Sequence, residues 1–149
     1  MYLKVKNLVK CYNPSDNIIN GLNFSVNKGN LISFVGESGS GKSTFLRCLA
    51  GLEKPNSGTI FLNGKKINGD DVFIRPQKRK IGYVFQDYSL FPHLNIKENI
   101  CFNLKEEFKK NFSKIIELTN LSNLLSRYPH EVSGGEQQRA CIARAIIRE

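Results

Sequence analysis

The sequence lacks the marks of a secreted mini-protein, a zinc site or a membrane span. Its four cysteines, Cys11, Cys48, Cys101 and Cys141, lie far apart and form no C-x-x-C pair. That spacing excludes a zinc-knuckle pattern and a dense disulfide framework, and it leads us to expect buried, reduced thiols in a cytoplasmic protein. No apolar run approaches the ~20 residues that a spanning helix needs, so any relation to a membrane has to pass through a partner. The N-terminal stretch Met1–Lys6 alternates apolar and charged residues and has no signal-peptide core. Internal repeats, low-complexity tracts and interdomain linkers are missing as well. Carboxylates are scarce, with 13 Asp+Glu against 22 Lys+Arg and a net charge of +9. Such an excess is compatible with nucleic-acid binding through phosphate neutralisation. The basic residues are nevertheless spread along the chain, and the one dense run is Lys78-Arg79-Lys80. A solvated basic surface is the simpler reading, and no direct nucleic-acid partner is expected.

What the sequence does contain is a succession of short apolar segments with clear punctuation. At 149 residues, 40% of them hydrophobic and 23% charged, it suits one domain or a piece of a larger one. Alternation over Tyr2–Val9 and Ile18–Val26 predicts two strands, separated by the turn-forming Asn13-Pro14-Ser15-Asp16. Leu31–Val35 and Ile81–Phe85 are compact apolar runs of the kind found in buried parallel strands. Phe45–Ala50 predicts a helix that Gly51 ends. Gly58–Leu62, Asn63-Gly64 and Lys65–Ile67 predict a hairpin, because Asn-Gly supplies the positive φ angles of a type I′ turn. Helical spacing governs Ile96–Phe102, Phe108–Leu118 and Glu136–Ile147. The expected class is therefore α/β, with an N-terminal β part and a later helical insertion.

The most informative stretch is Gly36-Glu37-Ser38-Gly39-Ser40-Gly41-Lys42-Ser43-Thr44, a full match to G-x-x-x-x-G-K-[ST]. Glycines at 36, 39 and 41 let the backbone curl so that successive N–H groups face one concavity. The loop opens a helix, whose dipole adds to the attraction for an anion. Lys42 is placed to reach the β- and γ-phosphates of a nucleotide, and Ser43 to offer its hydroxyl to Mg²⁺. An apolar run before the loop and a helix after it are the context this motif requires. A Gly/Ser-rich flexible loop is the bland alternative. The motif alone does not name a reaction, since many NTPases and kinases carry it.

Three further stretches narrow the choice. Val132-Ser133-Gly134-Gly135-Glu136-Gln137-Gln138-Arg139 resembles the signature of ABC-type ATPases, LSGGQ followed by Q-x-R. Val84-Phe85-Gln86-Asp87, 44 residues beyond Lys42 when counted to Gln86, resembles the family's Q-loop. Tyr12, after the first strand, is similar to the aromatic on which adenine stacks. Over nearly the whole chain the order of aromatic, P-loop, Q-loop and signature is that of the ABC ATPases. YVFQDYSLFPHL at Tyr83–Leu94 and YPHEVSGGEQQR at Tyr128–Arg139 look like the importer ATPases for ferric iron, polyamines, sulfate or molybdate.

The resemblance implies a P-loop NTPase fold of ABC type. About 1–88 would form the nucleotide-binding core, about 89–135 a helical subdomain, and 136–149 the signature helix returning to the core. It implies ATP and Mg²⁺ as cofactors, held by Gly36, Glu37, Ser38, Gly39, Ser40, Gly41, Lys42, Ser43 and Thr44, with Tyr12 under the base. Lys42 and Gln86 would act in catalysis, Ser43 and Gln86 on the metal. Ser133, Gly134 and Gly135 would close on ATP held by a second subunit in a head-to-tail dimer. Asp87–Asn99, with Phe91 and Leu94, would be the surface for a membrane permease subunit, which places the protein in the cytoplasm on the inner face of the cell membrane. The implied function is coupling of ATP hydrolysis to solute import. A soluble ABC protein acting on nucleic acid or ribosomes, and a non-catalytic nucleotide-binding fragment, are the alternatives.

The chain departs from the family pattern in three places. Its expected Walker B carboxylates and switch histidine would follow Glu149, so the sequence reads as truncated ahead of them. In the family that strand lies beside the P-loop strand, and without it apolar surface and unpaired backbone groups would be exposed. His93 and His130 do not replace the switch, and reading Asp87 as Walker B leaves the signature unexplained. Glu136 stands where the family has Gln and is expected to weaken ATP clamping through its charge. Val132 for Leu is a mild packing change.

Overall fold

The computed structural model describes residues 1–13 and 16–148, arranged as two compact units, Met1–Ile81 and Gly82–Glu149. The predicted turn residues Pro14 and Ser15 lie outside the described residues. Unit one is built on strands β1 (Leu3–Cys11), β2 (Asn17–Val26), β3 (Ser57–Leu62), β4 (Lys65–Gly69) and the short β5 (Val72–Phe73). They form one antiparallel sheet in the order β2-β1-β3-β4-β5. Leu3 lies opposite Val26 on one side and Leu62 on the other. The hairpin between β3 and β4 turns on Asn63 (φ 48°) and Gly64 (φ 75°), the double positive φ that Asn-Gly supplies.

Inward alternation along β1 breaks at Asn7. This residue takes φ 47°, the register shifts between Val5 and Leu8, and both of those flanking side chains are buried. Such a bulge brings the β1 backbone against β3, which is why residue 58 is glycine. A Cβ there would stand 2.5 Å from the Asn7 carbonyl oxygen, and its φ is +95°. Helix α1 (Lys42–Ala50) packs its Phe45, Cys48 and Leu49 onto Val5, Leu8, Ile19, Ile60 and Ile67 of the sheet. Gly51 (φ 78°) ends α1 in the left-handed conformation expected of it, its N–H donating to the Arg47 and Cys48 carbonyls.

Two expectations fail. Leu31–Val35 and Ile81–Phe85 are not strands. Leu31 and Val35 are 99% and 91% exposed, and Val84 and Phe85 are exposed as well. Apolar composition alone does not make a strand; the backbone needs a hydrogen-bonding neighbour, and among the described residues none pairs with either run. One side chain of the first run still packs on unit one. The Phe34 ring turns inward, 5.3 Å from Phe24 and 5.2 Å from Phe45, while Leu31 and Val35 point away.

A third correction concerns Lys78-Arg79-Lys80, read from sequence as a solvated basic run. Arg79 is 2% exposed. Its Nη1 donates to the Cys48 and Leu49 carbonyls at 2.8 Å each, its Nε to Ile74 O at 2.7 Å, and its guanidinium lies 5.0 Å from the Phe73 ring centre. A cation on the last carbonyls of α1 complements the helix dipole.

Unit two is helical: α2 (Ile96–Cys101), α3 (Phe112–Leu118) and α4 (Gly134–Ile146), with 3₁₀ turns between them. The predicted helix 108–118 begins as a 3₁₀ turn over Glu106–Asn111 and becomes α-helical at Phe112. Ile96 and Ile100 of α2, four residues apart, meet Ala140, Ala143 and Ile147 in a core completed by Ile116 and Leu121. A capping box fixes the start of α2, with Asn95 Oδ1 accepting from Glu98 N at 2.8 Å and Asn95 N donating to Glu98 Oε2 at 2.9 Å. No described helix is long and apolar enough to cross a membrane.

Candidate functional site

The loop 36–41 enters α1 through two left-handed glycines, Gly39 (φ 85°) and Gly41 (φ 84°). At Gly41 a close neighbour adds to the positive φ, since a Cβ there would stand 2.8 Å from the Ile18 carbonyl oxygen. The loop is closed on itself by Ser40 N donating to Glu37 O at 3.3 Å. No side chain caps the N-terminus of α1. Its first amides and the dipole therefore face an exposed loop without an internal partner, the arrangement that receives an anion. Lys42 Nζ lies over this loop, donating to the carbonyls of Gly36 (2.9 Å) and Glu37 (2.5 Å) and to Ser40 Oγ (3.0 Å). Those three contacts hold the ammonium at the mouth of the nest. Ser43 is exposed beside it.

Tyr12 lies next to this loop. Its hydroxyl is 3.4 Å from Thr44 Oγ1 and donates to Glu53 Oε2 at 2.6 Å, and the residue keeps 52% of its surface exposed. Gly36–Thr44 and Tyr12 are thus neighbours within unit one. The Glu53 partner was not legible from sequence, since it belongs to no motif.

Gln86, Ser133, Gly134 and Gly135 belong to unit two. Gln86 sits exposed in a tight turn. The residues after it adopt an uncommon backbone, Tyr88 at φ 62° and Ser89 at φ 47°, held by Ser89 Oγ donating to Asp87 Oδ1 at 2.8 Å. Asp87 follows no strand, which removes the support for treating it as a Walker B carboxylate. From α4, Arg144 Nη2 donates to the carbonyls of Tyr88 (3.3 Å) and Ser89 (2.9 Å), and Cys141 Sγ to that of Tyr88 (2.7 Å). The Q-loop-like turn is therefore tied to the signature-like helix. Arg144 is a second residue that sequence reasoning missed, its only signal being a basic residue in the last turn of α4.

Ser133 is the N-cap of α4. Its hydroxyl donates to Glu136 Oε2 at 2.8 Å and accepts from Glu136 N at 3.4 Å, while Ser133 N donates to the same carboxylate at 2.7 Å. Glu136 thus completes a capping box, and these hydrogen bonds from the Ser133 backbone and side chain hold its carboxyl below the usual range. Gln137 Nε2 donates to the Pro129 carbonyl at 2.9 Å and anchors the helix to the turn before it. In the expected permease surface, Phe91 and Leu94 are half-buried. Phe91 packs 4.4 Å from Phe102 and lies 5.8 Å from the Arg144 guanidinium. The four cysteines are free, and burial pushes the Cys48 thiol up to about 11.

With that geometry in view, the relatives are decisive. The sequence profile of the ABC transporter family matches residues 19–149. The chain belongs to the ABC transporter family. It is 41% identical to the Fe(3+) ions import ATP-binding protein FbpC of Haemophilus influenzae (strain 86-028NP), over 97% of this chain and 42% of that protein. To the probable sulfate/thiosulfate import ATP-binding protein CysA of Chlorella vulgaris it is 40% identical, over 100% of this chain and 64% of that one. To the spermidine/putrescine import ATP-binding protein PotA of Legionella pneumophila it is 39% identical, covering 40% of that protein. The chain therefore spans about two fifths to two thirds of the length of these ABC relatives. Among solved structures, the ATP-binding cassette MJ0796, dimeric and bound to ADP and Pi in a post-hydrolysis state, superposes with a TM-score of 0.82 at 30% identity. The match covers 98% of this chain and 69% of that one. The fold is that of an ABC ATPase, with an antiparallel sheet and helices.

Proposed function

We propose that this chain is the nucleotide-binding part of an import ATPase subunit. The observation that carries the reading is the uncapped amide nest ahead of α1 with Lys42 bonded across its mouth. A nucleotide triphosphate fits it: the N–H groups of the loop and first turn would take phosphate oxygens, and Lys42 would exchange its three loop contacts for the β- and γ-phosphates. Among the described residues no cluster of three or more His, Cys, Asp or Glu could hold a metal ion. Mg²⁺ would take the Ser43 hydroxyl and the phosphate oxygens, with Gln86 in the role that the family resemblance implies, and when bound it would neutralise charge on the transferring group.

In this reading Tyr12 supports the base, and Gly36–Thr44 and Lys42 position the triphosphate for attack by water, with Gln86 orienting metal and water. Ser133, Gly134 and Gly135 close on ATP bound to a second, head-to-tail copy. MJ0796 is dimeric and bound to the hydrolysis products in its solved structure, which supports that arrangement. Residues about 1–88 form the nucleotide-binding core, about 89–135 the helical part, and 136–149 the signature helix. Segment Asp87–Asn99 serves as the surface for a membrane permease at the inner face of the cell membrane, with ATP turnover driving import. The named relatives import iron, sulfate or polyamines, and transport of a small solute is the shared class.

The test is purification of the tagged full-length protein from its own cells in mild detergent. Membrane-spanning subunits should co-purify, and the complex should hydrolyse ATP in a manner lost on Lys42→Ala. Recovery of nucleic acid or ribosomes instead would overturn the transport reading. Binding of ATP with no turnover in the complex would reduce the function to nucleotide binding.

A further inference from the structure

We infer that Glu53 is a positioning residue for nucleotide binding, holding the Tyr12 ring where the base stacks. The inference rests on the assignment of Tyr12 as the base platform. Tyr12 follows β1, outside the regular sheet, and about half of its surface is open. A ring so placed has little packing to fix it, and a loose ring makes a poor stacking partner, because its ordering has to be supplied on binding. Glu53 supplies that order from the structured end of α1. Its Oε2 accepts from the Tyr12 hydroxyl at 2.6 Å, a distance typical of a strong charge-assisted hydrogen bond.

Glu53 is itself held from two sides. Arg47 Nη1 lies 3.5 Å from its Oε1 and Lys10 Nζ 3.9 Å from its Oε2, and only 18% of its side chain is exposed. Lys10 Nζ is fixed in turn by the Lys54 carbonyl at 3.0 Å and lies 5.0 Å from the Tyr12 ring centre. One side of the phenol ring therefore faces a lysine, its hydroxyl is tied down, and Thr44 of the phosphate loop touches that same hydroxyl at 3.4 Å. The ring is registered to the loop that holds the phosphates, which fixes the distance between the base and phosphate ends of the site. Glu53 touches neither end. The raised hydroxyl pKa of Tyr12, caused first by its bond to Glu53, agrees with this geometry.

Because the platform acts on the base and not on the phosphates, the test compares ATP with tripolyphosphate, each with Mg²⁺, by titration calorimetry on the full-length protein. Glu53→Ala should weaken ATP about tenfold, the equivalent of one charge-assisted hydrogen bond, and tripolyphosphate by less than about twofold. Glu53→Gln, which retains an acceptor for the phenol, should recover most of the ATP affinity. Tyr12→Phe, which keeps the ring and removes the bond, should behave like Glu53→Ala, and the double variant should be no worse than either. Equal losses for ATP and tripolyphosphate in the Glu53 variants would reveal a general structural role and overturn the inference. Unchanged ATP affinity in Glu53→Ala and Tyr12→Phe, alongside a loss in Tyr12→Ala, would overturn it while leaving Tyr12 as the platform. Unchanged ATP affinity in Tyr12→Ala would remove the platform assignment itself. Should Glu53→Ala not fold, Tyr12→Phe, which removes the same bond from its other end, gives the same comparison between ATP and tripolyphosphate.

Discussion

Asn99 is the buried polar residue on which the segment preceding α2 depends. It is fully buried, and its amide lies within hydrogen-bond distance of four main-chain groups, three of them carbonyls that share the two Nδ2 hydrogens. Oδ1 accepts from Phe91 N at 2.8 Å, and Nδ2 donates to the carbonyls of Leu94 (2.9 Å), Phe91 (3.1 Å) and Asn95 (3.1 Å). Phe91–Asn95 is a turn in which Leu94 N already bonds Phe91 O and Asn99 N bonds Asn95 O, and the Asn99 amide supplies the partners of Phe91 N and Leu94 O. Asn99→Ala removes these contacts and leaves Phe91 N and Leu94 O to find water through a rearranged loop. One accepted bond and two N–H groups make three full bonds at once, so at a net ~1 kcal/mol per bond the loss should be about 3 kcal/mol. For a protein of this size that is a fall in Tm of about 9 °C. Asn99→Asp should be at least as damaging at neutral pH, because it sets a carboxylate against three carbonyl oxygens. Burial and those oxygens would raise the introduced group's folded pKa above its unfolded value. Its folded form then binds the extra proton, so the defect should shrink as pH falls through that raised pKa. Urea unfolding of the full-length variants measures both effects. A loss below about 1 kcal/mol for Asn99→Ala would refute the view that this amide organises the loop.

Gly51→Ala should destabilise by at least about 2 kcal/mol, since it combines a left-handed backbone with a poorly placed new carbon. That Cβ would stand 2.4 Å from Arg79 Nε, and thermal unfolding beside an exposed control such as Ser122→Ala would measure the cost. Glu136→Gln should keep the Ser133 cap and remove its acid sensitivity. The depressed Glu136 pKa means that its contribution is present above the ordinary carboxylate pKa and is lost as pH falls through the lower folded value. Acid unfolding profiles of the two proteins should therefore differ below about pH 4 and run parallel above it. The same substitution removes a charge from the helix end assigned to the partner's γ-phosphate, and ATP-dependent dimer formation, measured by sedimentation, should strengthen. Weaker dimerisation would contradict that assignment of charge.

Local rules account for much of what the sequence revealed. The Asn63-Gly64 hairpin, the Gly51 helix stop and the glycines at 39 and 41 depend on φ angles that few residues accept, so residue type reports them directly. The turn into α1 was legible for the same reason, and Tyr12 lies beside it, its hydroxyl 3.4 Å from Thr44 Oγ1. Non-local facts were hidden. Whether Leu31–Val35 becomes a strand depends on a neighbour, and no property of those five residues supplies one. Burial of Arg79 depends on the last carbonyls of α1, some 30 residues upstream, so a run of three basic residues gave no warning that its middle member is buried. Glu53 and Arg144 lie outside every motif, and their roles come from what the fold sets beside them. Glu136 shows the two levels meeting. From sequence it was a charge out of place, and in the structure it is also the acceptor that completes the Ser133 capping box.

The central claim is that the loop Gly36–Thr44 binds the phosphates of ATP. Calorimetric titration of the full-length protein with Mg-ATP, beside Lys42→Ala, tests it most directly. Saturable binding well below ~1 mM, weakened about tenfold or more by Lys42→Ala with an unchanged melting temperature, is the expected result. Absence of binding at ~1 mM by a folded protein, or identical affinity in the Lys42→Ala variant, would contradict the account.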